Sequence, residues 1–351
     1  MRSEIIVHKS SIDANLEAIK RRLKPGVKVM AVVKDNAYGH GLVEFATHIQ
    51  SKTDWFCVVR VEEGIALREA GITNPILVFE VPNVERAPLY PKYNLTATVA
   101  DLSGFELLEE GTSYHINFDT GMKRLGMYSS QIPEVLEHIK LHPKINCTGI
   151  YTHYANSDAE EGNTVAEQLS LFTSIRSNFP SELITHTANS GAVFYHTDKN
   201  VQFDAVRPGI SLYGYAPGDE AISDLNSVLD WKSHIMQAKR IKKGEAVSYG
   251  CIWKAPKDGW VGAVPVGYSD GVPRTLGSQI NLMKGNQLIQ QVGRVTMDYI
   301  MVFSEERMET GEEVFLFNRK ELTADEWAIK SGTISYEITT RLNQRTKRIY
   351  L

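Results

Sequence analysis

Residues 31–41 read AVVKDNAYGHG, an apolar run that ends in Lys34 and breaks at once into a polar, glycine-punctuated turn. If the run is a buried strand, Lys34 projects from its C-terminal end, the edge where open and closed α/β folds place their chemistry. There an amine can be partly desolvated, which suits a lysine that acts as a nucleophile or forms a Schiff base at neutral pH. Such a residue needs a strand beneath it and a scaffold around that strand.

The preceding residues supply the start of one. Ile12, Leu16, Ile19 and Leu23 fall on one helical face, Ser10 or Ser11 can cap the helix, and Pro25-Gly26 ends it. The strand KVMAVVK follows directly. Strand-like runs DWFCVV, PILVF, TATVA, YHINF, NCTGIYTH, LITHTA and RPGISL come next, separated by segments of helical spacing such as VEEGIALREAG, IPEVLEHIK and VAEQLSLFTSIRSNF. Alternation of this kind implies parallel pairing, since parallel neighbours need crossovers. Eight units suggest an α/β fold of the (β/α)8 TIM-like barrel type. A doubly wound open sheet is the alternative, but no GxGxxG follows the first strand, which weakens a dinucleotide-binding reading.

After about Tyr215 the texture changes. HIMQAKRI, AVSYGCIW, WVGAVPVG, INLMK, LIQQVG, YIMVF and EVFLF are strand-like runs with few helical periods, and they predict a mostly β C-terminal domain. Pro217-Gly218 and the polar stretch that follows, residues 219–226, read as the linker. The expected division is a barrel over residues 9–226 and a β-strand domain over 227–351, which the opening strand IIVHK, within residues 1–8, could join.

The 351 residues leave room for two domains, and 42% hydrophobic with 23% charged residues is the composition of an ordinary globular protein. A formal net charge of −4 and a pI of about 6.2 give no electrostatic footprint for nucleic acid or an anionic membrane, so a small-molecule substrate is the better default. Cys57, Cys147 and Cys251 are odd in number and never in CxxC spacing, which argues against a disulfide framework or a zinc site. The opening MRSEIIVHKSS has no apolar core of a signal peptide, and no apolar stretch approaches about 18 residues, so a cytoplasmic location is expected.

Taken together, AVVKDNAYGHG, HINFDTGMKRLG, THTANSG, RPGISLYG, VSYG, GRVTMD and TISYE resemble the alanine racemase family in the expected order over nearly the whole chain. The resemblance implies pyridoxal 5'-phosphate as cofactor, a homodimer with shared active sites, and interconversion of L- and D-alanine for peptidoglycan. Lys34 then matches the cofactor-bearing lysine and one of two catalytic bases; Tyr249 in VSYG matches the opposing base, reaching the barrel of the partner subunit. Tyr38, Ser190, Gly209, Ile210 and Tyr336 match the phosphate group's ligands. A TIM barrel typically places such a site in the loops after its seventh and eighth strands. Arg207 matches the arginine facing the pyridine nitrogen, where many enzymes of this cofactor use a carboxylate. A permanently protonated arginine leaves that nitrogen unprotonated and weakens the ring as an electron sink, which favours racemisation over other fates.

A phenol with a pKa near 10 needs roughly 4 kcal/mol of anion stabilisation to work near neutrality, an amount that one cation at about 4 Å supplies in order of magnitude. His153 in YTHY and Arg207 match the residues that form such a network with Tyr249. Arg124 in GMKRLG resembles the arginine that orients the tyrosine and contacts the substrate carboxylate. Met297, through its backbone N–H, and Asp298 in GRVTMD match partner-borne residues at that carboxylate, and Tyr268 in VGYSDG matches the tyrosine at the site's entrance. Two positions depart from the family pattern. Asn117 stands where many members have a carboxylated lysine, which leaves Arg124 to be compensated by another anion, for which a bound chloride is the expectation. Asp35 replaces a small residue after the lysine, and in an extended run it would face away from the cofactor. Competing readings are a racemase of broader or serine specificity, a decarboxylase of related architecture, which Arg207 opposes, and a non-catalytic cofactor carrier, which would lack the second domain.

Overall fold

Eight short strands, buried along most of their length, close on one another as a parallel barrel. They are β2 (Lys28–Val32), β3 (Trp55–Val58), β4 (Ile76–Val78), β5 (Thr96–Val99), β6 (Ser113–Asn117), β7 (Asn146–Tyr151), β8 (Ile184–Asn189) and β9 (Ala205–Arg207), after an opening strand β1 (Ser3–Val7) that lies outside the barrel. Met30 pairs with Trp55 at one junction, and Lys28 pairs with Ala205 where the barrel closes. Every residue of β3, β4 and β5 is buried, as strands covered on both faces require. The structure, a computed structural model, describes residues 2–158, 164–196 and 199–351.

The chain divides into two compact units. One comprises Asp13–Ala37 and Leu42–Leu225; the other comprises the residues up to Ile12, Tyr38–Gly41 and Asn226–Leu351. In the first unit, Asp224 at the end of the expected linker is gripped by Arg22 at 2.8 and 3.0 Å and by Arg21 at 3.1 Å, so this stretch is fastened rather than loose.

The second unit holds a nine-stranded sheet formed by β1, β10 (Leu229–His234), β11 (Gln237–Ile241), β14 (Gly259–Val264), β15 (Asn281–Lys284), β16 (Gln287–Val292), β17 (Ile300–Ser304), β18 (Glu313–Phe317) and β19 (Lys347–Tyr350), with β12 (Ala246–Val247) and β13 (Trp253–Lys254) paired separately. β1 lies between β10, antiparallel, and β19, parallel. Trp231, Phe317 and Trp327 pack with ring centroids 4.5–6.1 Å apart.

Several elements differ from the sequence reading. The first helix begins at Lys9, so Ser10 and Ser11 lie inside its first turn instead of capping it. The eighth barrel strand is Ala205–Arg207, and the expected RPGISL strand is instead a 3₁₀ turn over Ile210–Tyr213, because Pro208 cannot donate to a ladder. AVSYGCIW does not run straight either. Ser248, Gly250 and Cys251 have φ of 67°, 75° and 50°, which folds Tyr249–Cys251 into a 3₁₀ turn. Two helices, Ala324–Ser331 and Ser335–Thr340, interrupt the β unit; Tyr336 therefore sits on a helix. Among the described residues no helix is long and apolar enough to cross a membrane.

Gly39 carries φ 85°, and a Cβ there would stand 2.0 Å from the Thr339 carbonyl oxygen. Gly39→Ala combines a left-handed residue with backbone overlap, and should cost about 2–5 kcal/mol, read as a lowered midpoint in denaturant unfolding.

Candidate active site

Lys34 stands just past the C-terminal end of β2, with its side chain about one-third exposed (35%). The chain then turns through Asp35, Asn36, Ala37 and Tyr38 with φ of 51–56° throughout, one turn of left-handed helix without a glycine. Such a turn costs roughly 1–2 kcal/mol per residue and persists only where neighbours impose it. Within the barrel unit, Asp35 N–H donates to Glu63 Oε1 at 2.6 Å, Ala37 N–H to Val33 O at 2.9 Å, and Leu42 N–H to Asn36 Oδ1 at 3.0 Å. Within the second unit, Arg348 donates to Gly39 O at 2.7 and 3.1 Å, and Tyr350 to His40 O at 3.1 Å. The turn overturns the expectation for Asp35. The chain is not extended there, and the Asp35 carboxylate lies 3.8 Å from Lys34 Nζ.

Arg207, at the end of β9 and so beside β2, is buried. Nη1 donates to His186 Nδ1 at 2.6 Å and to His186 O at 2.8 Å; Nη2 donates to Thr152 O at 2.7 Å, Thr187 O at 3.0 Å and His153 Nδ1 at 3.3 Å. The acceptors are all neutral, and none of these bonds uses Nε. Because a guanidinium only donates, His186 must accept at Nδ1 and carry its proton on Nε2, which donates to His115 Nδ1 at 2.8 Å. Burial and the charge of Arg207 push His115 down to about 3 and His186 well below its ordinary value. His153 is likewise pushed down to about 3 by burial, then by Arg207, Arg124 and Lys34. It is therefore neutral, with Nδ1 turned to Arg207 and its proton on Nε2. In the expected network with Tyr249 it could serve only as a neutral hydrogen-bond donor.

Ser190 is buried at the start of the helix Ser190–Tyr195, which Asn189 caps by accepting from Ala192 N–H at 3.0 Å. Its Oγ accepts from Gly209 N–H at 2.9 Å and meets Ser211 Oγ at 3.0 Å. The Gly209 amide is thus engaged internally, whereas Ile210 N–H opens the 3₁₀ turn, where no intrahelical acceptor exists. Arg124 is exposed on a loop organised by Asp119, whose Oδ1 accepts from Gly121 N–H at 2.8 Å and Lys123 N–H at 3.1 Å. Asn117 is buried with Oδ1 lacking a partner among the described residues.

The remaining expected residues lie in the second unit. Tyr38 and Tyr336 come together, with ring centroids 6.0 Å apart. Tyr249, Tyr268, Met297 and Asp298 line a groove of about 400 Å³ with Arg274, Arg294 and Tyr299. Tyr249 is 73% exposed and Met297 55%, an aromatic and thioether patch of the kind that marks a contact surface. Gly267 lets the segment after β14 approach the one before β17, since a Cβ would lie 2.2 Å from Met297 O. Met297 N–H has no acceptor among the described residues, whereas Asp298 is drawn towards Ser269 at 3.3 Å and Arg345 at 3.5 Å.

Comparison with known proteins decides the family. Residues 7–217 match the model of the alanine racemase N-terminal domain and residues 228–350 that of the C-terminal domain. The chain belongs to the alanine racemase family. The alanine racemase of Streptococcus gordonii is 33% identical over 99% of this chain and 97% of its own length, and that of Treponema denticola 32% over 99% and 98%. The alanine racemase structure from Clostridium difficile 630 superposes with a TM-score of 0.94 at 31% identity, covering 100% of this chain and 96% of that one. The Bacillus anthracis alanine racemase with bound L-Ala-P gives 0.93 at 31%, over 100% and 95%. The chain is accordingly an isomerase of an amino acid, with the barrel and β unit of its family.

Sequence reading of this racemase missed His186, which holds Arg207, and His115, which holds His186, and Arg274 and Arg294 in the groove. His115 and Asn117 alternate on one face of β6, a polar face inside a barrel, which is a signal that could have found the first.

Three histidines held neutral in the fold must take up protons on unfolding, so the unfolded chain binds more protons below about pH 6.5. Barrel stability should be complete above that pH and fall as the pH drops towards 3, by up to roughly 1.4 kcal/mol per pH unit for each histidine. Urea midpoints from pH 7 to 5 should show a shallower fall in His115→Gln, which offers His186 an acceptor but does not titrate.

Proposed function

We propose that the chain interconverts L- and D-alanine with pyridoxal 5'-phosphate, using Lys34 and a Tyr249 contributed by the partner subunit of a homodimer, in the cytoplasm, to supply D-alanine for peptidoglycan. The observation that carries the reading is Arg207. Its two terminal nitrogens are saturated by neutral acceptors and Nε–H remains as a donor, which fits an unprotonated pyridine nitrogen and would repel a protonated one. Ser190, Ile210, Tyr38 and Tyr336 are the donors offered to the phosphate, while Gly209, whose amide is given to Ser190 Oγ, shapes the turn that presents Ile210.

When bound, the cofactor supplies an aldehyde for the Lys34 amine and a conjugated ring that acidifies the substrate's α-carbon. Lys34 Nζ takes or returns the proton on one face and Tyr249 Oη on the other. His153 Nε2–H donates to the tyrosine oxygen, and Arg124 adds positive charge. Arg124 and the Met297 N–H bind the substrate carboxylate, which fixes the Cα–H bond between the two bases. With Asn117 in place of an acidic group, a chloride beside Arg124 balances its charge.

Chiral chromatography of products from L-alanine, L-serine and a bulkier L-amino acid tests substrate and mechanism together. D-Alanine should form fastest, and Tyr249→Phe should slow it by about 10²-fold or more, the usual worth of a general base. D-Serine forming fastest would overturn the substrate assignment; an unimpaired variant would overturn the second base. Shared sites predict complementation. Inactive Lys34→Ala and Tyr249→Phe proteins, when mixed and allowed to exchange subunits, should recover about one quarter of the parent rate, since half the dimers are mixed and each has one intact site. No recovery despite exchange would place both bases on one chain.

A further inference from the structure

A cluster away from all these residues joins two helices of the barrel unit. Glu106 belongs to the helix Ser103–Leu107, while His138 lies on the helix Ile132–Leu141 and His142 directly follows it, one turn on from His138. Their ligand atoms, one from each residue, all lie within 4.8 Å of one another. Glu106 Oε1 is 3.1 Å from His142 Nε2 and 3.6 Å from His138 Nδ1. Ligands bound at 2.0–2.2 Å to a tetrahedral ion stand about 3.3–3.6 Å apart, so both spacings already approach those of a shared metal.

Two further observations bear on a ligand. The imidazoles already lie together, their rings parallel to within 6° at 5.8 Å and His138 stacked on Phe105 at 5.3 Å; because imidazole lone pairs lie in the ring plane, the His142 ring must turn to bring both nitrogens onto one ion. His138 Nδ1, the nitrogen nearest Glu106, is buried and has no hydrogen-bond partner among the described residues. A buried nitrogen without a partner is costly, and an ion seated between it and the carboxylate would satisfy it.

We propose that Glu106, His138 and His142 bind a divalent transition-metal ion of the Zn²⁺ class, which staples the two helices together. Two imidazoles and one carboxylate suit zinc, whereas calcium and magnesium prefer all-oxygen sets, and three protein ligands leave a fourth position for water. The cysteine spacing that argued against zinc has no bearing on a site built from histidines. Its place in the fold makes the role structural. Gly111 N–H donates to Lys144 O and Asn146 N–H to Thr112 O, both at 2.8 Å, so His142 lies beside the segments that enter β6 and β7. That is the N-terminal rim of the barrel, opposite the end that carries Lys34, where TIM barrels place stability rather than chemistry.

The test is calorimetric titration of the metal-stripped, untagged full chain with Zn²⁺, alongside Glu106→Gln and His142→Ala. One equivalent should bind the parent, and the affinity should fall at least about tenfold in each variant, the lower end of what even outer-shell groups contribute. Zn²⁺ should raise the parent's unfolding temperature and leave that of the variants unmoved, with the alanine racemisation rate unchanged in all three. Glu106 is exposed, so Glu106→Gln keeps the fold if His142→Ala does not, and circular dichroism without metal checks both. No binding to the parent, or equal affinity in the parent and folded Glu106→Gln, overturns the proposal.

Discussion

A buried guanidinium without a carboxylate is the constraint around which the barrel interior is built. Arg207 cannot shed its charge, and the fold stabilises it with carbonyl oxygens of Thr152, Thr187 and His186, two imidazole nitrogens, and the face of Tyr151 at 5.2 Å. Each of those partners is fixed in turn. His186 stacks on Tyr151 at 4.8 Å and donates to His115, whose ring lies so close to Gly149 that a Cβ there would come within 2.7 Å. The strands β6, β7, β8 and β9 are thereby tied to a single cation. A carboxylate anywhere in this set would neutralise it and remove the electrostatic character of the site.

The second constraint is the left-handed turn after β2. Four non-glycine residues in that conformation are unfavourable by themselves, and they are held by polar anchors at both ends: Glu63 and Asn36 before, Arg348 and Tyr350 after. The turn leaves Lys34 at the end of its strand and carries Tyr38 to the ring of Tyr336. Strain here adjoins Lys34, the residue proposed to bear the cofactor, and functional sites are a common place for it.

How much of this was legible in the sequence follows from the range of the interactions. Seven of the eight barrel strands were, because a strand buried on both faces is a continuous apolar run, as in β3 and β4, whereas the eighth ends where the RPGISL run begins. The strand β10 was not, although it alternates, Leu229, Trp231 and Ser233 being buried and Asp230 and Lys232 less so, because its apolar face amounts to two residues and a serine. The helix Ala324–Ser331 carried local signals, a Thr323 cap and a left-handed Gly332, that the surrounding strand-like runs obscured. The positions of Lys34 and Arg207 could be placed because each ends a strand. The conformation of Asp35 could not, because it depends on Glu63, which lies 28 residues away. Nor could the protonation of His153, which is set by its burial and then by the charges of Arg207, Arg124 and Lys34, brought together from separate parts of the barrel unit.

The imidazoles beneath Arg207 have a direction. Every proton in the series Arg207, His186, His115 points away from the guanidinium, and the guanidinium has no lone pair with which to accept one back. Such a chain can orient and polarise, but it cannot conduct. Protons therefore do not pass from Arg207 through His186 and His115 into the barrel floor, and the series holds the guanidinium without serving as a relay.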